Sequence, residues 1–387
     1  MFGLAMEAKV PWLEKSVMEQ RREFVMLFEQ EGMNRRGLCR RFGISPETGY
    51  ALVRRYRQQG EGGLADRSRR PKQSPARTPR TMEALVLSMR DQHPNWGGRK
   101  IGRRLRDLGH EGVPSASTIT EVLRRDQRID AVASAARERP QRFERAAPNE
   151  LWQMDFKGHF PLARGRCHPL TVLDDHSRYA LGIRACGDET EATVQSELTA
   201  IFRRYGLPDC MLMDNGSPWG SSNAEHRYTS FELWLMELGI ACRHGRPYHP
   251  QTQGKDERFH RTLAAEAIGR RSFADLAVCQ RRFDAWREVY NIERPHDALG
   301  LATPITRYRP SHRPFPETIE PYDYGPGALL RRVDDSGWLQ FRGHPLKLGR
   351  AFIHRQVALR PAVPDGCFDV FFCGHKLATF DLRQVPA

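Results

Sequence analysis

Three acidic residues in three distinct settings are the strongest sign of chemistry in this 387-residue chain. Asp155 lies in LWQMDFKG, Asp214 in MLMDNGSPW, and Glu257 in HPQTQGKDERFHRTL. Three carboxylates brought to one point repel one another, and their pKa values rise unless a cation lies among them. A pair of divalent metal ions is the usual cation, and it suits in-line displacement at phosphorus. The three residues therefore predict metal-dependent phosphoryl transfer.

The pattern around each carboxylate predicts the element that positions it. Apolar and polar residues alternate through 151–158, which predicts a strand with Asp155 on the polar face. A short apolar run ends at Asp214, and an Asn-Gly pair then turns the chain, which predicts a position at the mouth of a sheet. Apolar residues at a spacing of four follow Glu257 and predict a helix. Two strand ends and one helix can bring the three side chains together.

At these residues the chain resembles the integrase-type DDE transposases of bacterial insertion sequences, in the branch that encodes the protein in one reading frame. The resemblance runs from the segment LCRRFGIS to the segment YNIERPHDAL. It implies a ribonuclease H-like core that binds two Mg²⁺ ions, for which Mn²⁺ can substitute. In that arrangement Asp155 would bridge both ions, Asp214 would bind one and Glu257 the other.

Two details on the predicted helix depart from the family pattern. The family usually has Lys or Arg seven positions after the glutamate, where this chain has Ala264. Arg261, one turn earlier on the same face, is the predicted substitute for contact with the transposon end, with Arg258 behind it. Asp256 stands where the family more often has an apolar residue. Because it points about 100° away from Glu257 around the helix, Asp256 is the weaker metal candidate.

Charge is concentrated in the first 150 residues. They hold 30 Lys and Arg against 19 Asp and Glu, so 30 − 19 = +11 of the total net charge of +14 lies there. Arginine forks match phosphate oxygens, so this excess predicts a DNA-binding surface. No stretch approaches the ~20 apolar residues needed to cross a bilayer, and no secretory pattern is present. Together with eight cysteines without CxxC pairs, this predicts an intracellular protein with no membrane partner. The resemblance then implies the bacterial cytosol and association with the nucleoid.

The N-terminal region predicts two helix-turn-helix units, with the first at 1–62 and the second at 81–130. In the first, Ser45 and Pro46 are suited to the cap and first position of a helix over 47–57 that would lie in the major groove. A plain helical bundle is the alternative. Basic linkers follow at 63–80 and 131–148. Across these segments the predicted DNA contacts are Arg40, Arg41, Thr48, Arg54, Arg55, Arg69, Arg70, Arg103 and Arg104.

The chain is therefore expected to be a multidomain protein with an α-helical tandem helix-turn-helix region, an α/β ribonuclease H-like core and a small β-barrel. The catalytic core with its helical extension is expected at 149–310, and the barrel at 325–387, where five short apolar runs are separated by Gly, Pro and Asp. The barrel could bind DNA, hold subunits together or serve only for packing.

The resemblance implies a DNA transposase that binds the terminal inverted repeats of an insertion sequence. It would hydrolyse the phosphodiester at the 3′ ends and transfer the 3′-OH to target DNA by two-metal phosphoryl transfer. Its partners would be double-stranded DNA, as transposon ends and target, and copies of itself in a dimer or higher oligomer. The alternative is a catalytically silent DNA-binding regulator, which has no physical reason to retain the three acids. A nuclease for RNA–DNA hybrids would leave the helix-turn-helix units without a role.

Overall fold

The computed structural model describes residues 15–67, 77–129, 144–220, 228–245, 254–269 and 271–383. The chain divides into two compact units, Met1–Arg77 and Thr78–Ala387. None of the helices in these described segments has the length and apolar composition that crossing a bilayer would require.

The first unit is a three-helix domain. Its helices are α1 (Val17–Phe28), α2 (Arg35–Arg41) and α3 (Pro46–Gln59), and a short 3₁₀ helix follows at Gly60–Leu64. The Ser45 hydroxyl accepts a hydrogen bond of 3.1 Å from the N–H of Thr48, and Pro46 occupies the first helical position, as predicted. The interior is apolar, with Phe24, Val25, Leu52 and Val53 buried. This domain confirms the predicted helical N-terminal region.

The second unit begins with another three helices, α4 (Arg80–Gln92), α5 (Gly98–Asp107) and α6 (Ala116–Arg125). The last two coincide with the predicted pair, whereas α4 was not predicted. Helix α5 is joined to the catalytic core by two ion pairs, Arg104 to Glu293 at 3.0 Å and Arg99 to Asp297 at 2.9 Å. The second helical domain therefore docks on the helical extension of the core.

A mixed sheet forms the centre of the second unit. Its strands are β1 (Trp152–Phe156), β2 (Phe160–Pro161), β3 (Arg166–Asp174), β4 (Ala180–Cys186), β5 (Cys210–Met213) and β6 (Ala241–His244). Strands β1, β3 and β4 pair antiparallel, as the predicted meander requires. Strand β5 pairs parallel with β1, and β6 pairs parallel with β5 at the sheet edge. This order is the one expected of a ribonuclease H-like core, and only the short β2 was not predicted.

Helices cover both faces of the sheet. On one face α7 (Glu191–Tyr205) and α8 (Ser230–Glu237) pack on Trp152, Met154 and their neighbours. On the other face α9 (Gly254–Leu263) and α10 (Leu276–Glu288) pack on Leu173, Ala180 and Ile183. A π-helical turn follows each helix of the second pair, at Ala264–Ile268 and Val289–Glu293. Because both faces are covered, β1 is buried on both sides.

The C-terminal strands are β7 (Leu329–Arg332), β8 (Trp338–Phe341), β9 (His344–Lys347), β10 (Gln356–Ala362), β11 (Cys367–Phe372) and β12 (His375–Asp381). The predicted barrel is not confirmed. Four strands form an open sheet in the order β12-β11-β10-β7, and β8 and β9 form a separate hairpin. Pro345 in β9 has no N–H to donate, so β9 is suited to an edge and the ladder does not close there.

The C-terminal domain shares its hydrophobic core with the catalytic core. Leu233 and Met236 of α8 are buried in one cluster with Val357, Leu359 and Phe372 of the C-terminal sheet. An ion pair of 2.6 Å between Arg355 and Glu237 lies at the margin of this contact. Burial of fully apolar side chains is worth about 1.5–3 kcal/mol each. The domain is therefore fixed to α8, the helix that precedes β6.

The packing of α7 on the sheet yields a first testable prediction. A Cβ atom on Gly182 of β4 would overlap with Cδ1 of Ile201 on α7. Overpacking of this kind costs about 1–3 kcal/mol, so Gly182→Ala should lower the free energy of unfolding by that amount in urea titrations. Ile201→Val removes the overlapping methyl group, so the double variant should recover most of the loss. Additive losses in the double variant would contradict the overlap.

Candidate active site

The parallel pairing of β1 with β5 brings two of the predicted acids together. Trp152 pairs with Met211 and Gln153 with Leu212. Continued for two residues, this register places Asp155 opposite Asp214, at the carboxyl ends of both strands. The charge of Asp214 is the second cause, after burial, of the raised pKa of Asp155. The two carboxylates therefore lie close enough to repel each other.

Asp214 is held in place by the loop that follows it. Its Oδ1 accepts hydrogen bonds from the N–H of Gly216, at 2.9 Å, and from Nε1 of Trp219. The indole ring of Trp219 is 2% exposed and stacks on the ring of Phe156, with centroids 5.2 Å apart. Because Phe156 belongs to β1, this stack ties the Asp214 loop to the strand that carries Asp155.

The edge strand β6 makes a second connection to Asp214. His244, the last residue of β6, lies with Nδ1 2.7 Å from the carbonyl oxygen of Asp214 and with Nε2 2.8 Å from Glu232 of α8. The hydrogen bond with Glu232 raises the pKa of His244 above its usual value. The buried Glu232 also forms a capping box with Thr229 at the start of α8. The backbone at Asp214 is thereby linked to α8.

His260 of α9 faces the other side of Asp155. The Thr171 hydroxyl donates to the carbonyl oxygen of Asp155 at 3.0 Å, and Nε2 of His260 lies 2.8 Å from that hydroxyl. Burial lowers the pKa of His260 to about 4, so the ring is neutral at neutral pH. Since the Thr171 proton is already used, Nε2 must donate, and Nδ1 is left as an acceptor 3.8 Å from Oδ2 of Asp155.

Asp155 therefore has two groups without a proton to donate beside it, Nδ1 of His260 and the carboxylate of Asp214. Burial and the charge of Asp214 raise the pKa of Asp155 from 3.8 to about 7. The carboxylate oxygens of both acids are the hard donors that Mg²⁺ prefers, and Mg²⁺ is commonly bound by one or two carboxylates together with substrate phosphates. The chemistry of the donors therefore fits a divalent cation at Asp155 and Asp214.

Glu257 is not brought into this pair. It lies on α9 as predicted but is exposed, and within the described residues no three His, Cys, Asp or Glu side chains are placed to hold one metal ion. The neighbouring Asp256 is instead buried, 4% exposed, and its pKa is raised by burial and then by the charges of Asp155 and Asp175. The structure thus differs from the expectation that Glu257 completes the cluster.

The angular positions on α9 nevertheless put Glu257 on the same flank as a side chain that lies 3.8 Å from Asp155. Residues three apart on a helix lie on the same side, so Glu257 shares a flank with His260, the side chain that faces Asp155. Arg258 and Arg261 are exposed beside it, whereas Ala264 begins the π-helical turn. The exposed side of α9 therefore carries one acid and two arginines.

The predicted DNA contacts outside the core fall into three groups. The exposed ones are Arg40, Arg41, Thr48 and Arg54 of the first domain. Others bond within the protein: Arg55 to the carbonyl oxygen of Ala65, Arg103 to Asp107 and Arg104 to Glu293. The side chain of Arg104 is only 20% exposed, so the structure places it in the contact with the core. Arg69 and Arg70 lie outside the described residues.

Two residues of the site were missed in the sequence. Trp219 stands five positions after Asp214, and His260 three after Glu257, so both lie inside the motifs that predicted the acids. The spacing of His260 on the helix was a usable signal, because it shares the flank of Glu257. The role of Trp219 depends on its stacking with Phe156 from a distant strand, for which the sequence holds no signal.

Comparisons with known families give five matches, which together cover three segments of the chain. The description "Integrase core domain" matches residues 145–250 and, in a second form, 238–304. "IS481 family transposase, C-terminal domain" matches residues 329–386. Two further matches cover the helical region, "Helix-turn-helix domain" at 20–72 and "Homeodomain-like domain" at 48–123.

Individual relatives include two insertion-element proteins. The uncharacterized 31.7 kDa protein of IS407 from Burkholderia multivorans is 27% identical over 43% of this chain and 57% of its own length. The uncharacterized 39.2 kDa protein of IS476 from Xanthomonas euvesicatoria is 26% identical over 60% of this chain. The chain spans 57% and 66% of these two relatives. The catalytic core domain of BIV integrase, a solved structure, is 23% identical over 41% of this chain and 92% of that one, with a TM-score of 0.31.

The integrase-core and IS481 C-terminal matches occupy the same segments as the central sheet and the C-terminal strands, and the two insertion-element relatives extend the likeness. The chain therefore contains an integrase core domain and a C-terminal segment of the IS481 transposase type, and it is similar to the proteins of bacterial insertion sequences.

Proposed function

We propose that this protein is the DNA transposase of an insertion sequence. In this role it binds the terminal inverted repeats, hydrolyses the phosphodiester at the 3′ ends and transfers the 3′-OH to target DNA. The observation that carries the proposal is the pair of carboxylates at the adjoining ends of β1 and β5, Asp155 and Asp214, inside the segment that matches the integrase core. Two DNA ends must be joined, so the protein acts as a dimer or larger assembly on DNA.

The proposal includes two Mg²⁺ ions, with Mn²⁺ as a substitute, held by Asp155, Asp214 and Glu257. When bound, divalent metal ions align and activate the attacking oxygen and offset charge on the leaving oxygen. The mutual repulsion of Asp155 and Asp214, which raises the pKa of Asp155, is the feature that supports a cation here.

The protein's own groups orient the acids and the DNA. Trp219 and Gly216 donate to Oδ1 of Asp214, which leaves Oδ2 free of these two bonds and directs the carboxylate. His260, held by Thr171, presents an acceptor beside Asp155 and not a second proton. On the exposed side of α9, Arg258 and Arg261 flank Glu257 and can contact phosphate oxygens of the transposon end.

Asp256 and Glu257 offer a matched pair of variants for testing the third acid. With a labelled duplex of the element's own terminal sequence in Mg²⁺, Glu257→Gln should reduce nicking at the 3′ end by about 100-fold or more, because it removes a metal donor. Asp256→Asn should keep the nicking rate within about threefold, as expected of a surrounding group with no contact to the metal. Binding of the duplex, measured by fluorescence anisotropy, should be unchanged in both.

The opposite ranking would assign the third metal position to Asp256. Metal-dependent nicking by the wild type, absent in an Asp155→Asn variant, is the positive control. If the wild type bound the ends tightly but nicked in neither Mg²⁺ nor Mn²⁺, the enzymatic proposal would be wrong.

The repulsion at Asp155 also predicts a pH-dependent stability. Its folded-state pKa of about 7 exceeds 3.8, so the stability it contributes is present below about pH 4 and is lost as pH rises through 7. At 1.36 kcal/mol per pKa unit, the loss is about 4 kcal/mol at most. Asp155→Asn should therefore be more stable than the wild type at pH 8 in a chelator, and close to it near pH 4.

Urea unfolding of both proteins at the two pH values measures this difference. The Thr171→Val variant, which keeps Asp155, is the control and should retain the wild-type pH dependence. If Asp155→Asn were no more stable than the wild type at pH 8, relative to the difference at pH 4, the pKa of Asp155 would not be raised in the folded protein.

A further inference from the structure

We infer that Lys255 and Asp175 are positioning residues whose buried ion pair fixes the first turn of α9, and with it the place of Glu257 relative to Asp155. The inference rests on the proposed function only for the role of Glu257. Asp175 lies in the turn between β3 and β4, and Lys255 is the second residue of α9. The pair thus joins the helix of the third acid to the antiparallel part of the sheet.

Asp175 is a junction of three segments. Its side chain is fully buried, and its Oδ1 accepts from Nζ of Lys255 and from Nε2 of Gln153 on β1, the latter at 2.6 Å. Its Oδ2 accepts from the N–H of Arg145 at 2.9 Å, and its own N–H donates to the carbonyl oxygen of Leu151 at 2.9 Å. Asp175 is therefore rigidly held, so it can fix the position of Lys255 and of the first turn of α9.

Lys255 connects Asp175 to α9. Its side chain is only 17% exposed, and a buried cation without its carboxylate is strongly unfavourable, so the pair is kept closed. At about 100° per residue, Lys255 and His260 lie about 140° apart, on opposite flanks of the buried stripe. Lys255 contacts Asp175 while His260 contacts Thr171, so α9 is tied to the sheet on both flanks.

Glu257 lies between these two attachments in the sequence. A helix held on both flanks cannot rotate freely, so His260 is kept beside Asp155 and the position of Glu257, which shares its flank, is fixed with it. Without the Lys255 attachment, His260 and the apolar stripe alone would define the rotation of α9. Small errors in rotation matter here, since displacement of a reacting group by about 1 Å can cost about 100-fold in rate.

The chain also contains a matched control at the other end of the same helix. Glu266, in the π-helical turn after α9, accepts from Arg294 at 3.1 Å and from Nε1 of Trp286 at 3.1 Å. The side chains of Arg294 and Glu266 are 9% and 11% exposed, so this ion pair is as buried as that of Lys255 and Asp175. It differs in lying nine residues beyond Glu257 instead of two before it.

The test uses full-length Lys255→Met, Lys255→Arg and Arg294→Met, with hydrogen exchange of residues 254–263 and single-turnover nicking at saturating DNA. In Lys255→Met we expect faster exchange at residues 258–261, whose N–H groups donate to the carbonyl oxygens of the first turn of α9. We also expect nicking to slow by about tenfold or more, with DNA affinity kept within about twofold. Lys255→Arg restores the charge and should recover both. Arg294→Met should speed exchange in the π-helical turn but leave the nicking rate of folded protein within about threefold.

Asp175→Asn should reproduce the effects of Lys255→Met, and the double variant should be no worse than either single one, as expected of residues that act through one contact. Unchanged exchange at residues 258–261 in Lys255→Met would overturn the inference, whatever the activity. So would a loss of nicking matched by Arg294→Met or by weakened DNA binding, since either outcome indicates only a general structural role. If the wild type does not nick, the proposed function fails. The exchange data alone still decide whether the ion pair of Lys255 and Asp175 fixes the first turn of α9.

Discussion

The repulsion between Asp155 and Asp214 is the constraint on which the rest of this active site depends. Parallel pairing of β1 with β5 places the two carboxylates at adjoining strand ends, and burial prevents water from screening their charge. The fold tolerates this cost because other contacts hold each acid in place. Trp219 holds Asp214 from the loop side, and His244 holds its backbone from the edge of the sheet. These contacts keep the two carboxylates together despite their repulsion, and the proposed cation site rests on this arrangement.

The same constraint explains why α9 is so heavily anchored. In the proposed function α9 would bring a third carboxylate, that of Glu257, towards two others, so its position would have to be set by contacts away from the acids. Lys255 supplies one contact and Glu266 another, and the apolar stripe of Phe259 and Leu263 supplies the rest. Glu257 is exposed in this structure, and in the proposed function its side chain would approach Asp155 together with the metal ions.

The second helical domain and the C-terminal sheet both dock on elements that lead to the active site. The second helical domain contacts the extension through Arg104 and Glu293, in the π-helical turn that follows α10. The C-terminal sheet buries Leu233 and Met236 of α8, the helix that holds His244 through Glu232. Both domains therefore contact helical elements that pack on the central sheet of the catalytic core. The core of the open C-terminal sheet is completed by these two side chains of α8.

Local pattern alone determined a large part of this protein. Alternation through 151–158 predicted β1, the apolar run before Asp214 predicted β5, and Ser45-Pro46 predicted the start of α3, because each signal depends only on neighbours in the chain. The tertiary structure decided what depends on distant residues. It opened the sheet expected to close into a barrel, turned Asp256 inward and Glu257 outward, and placed Arg104 in an internal contact. Helical periodicity predicts which residues share a face, whereas the direction of that face is set by packing against other elements.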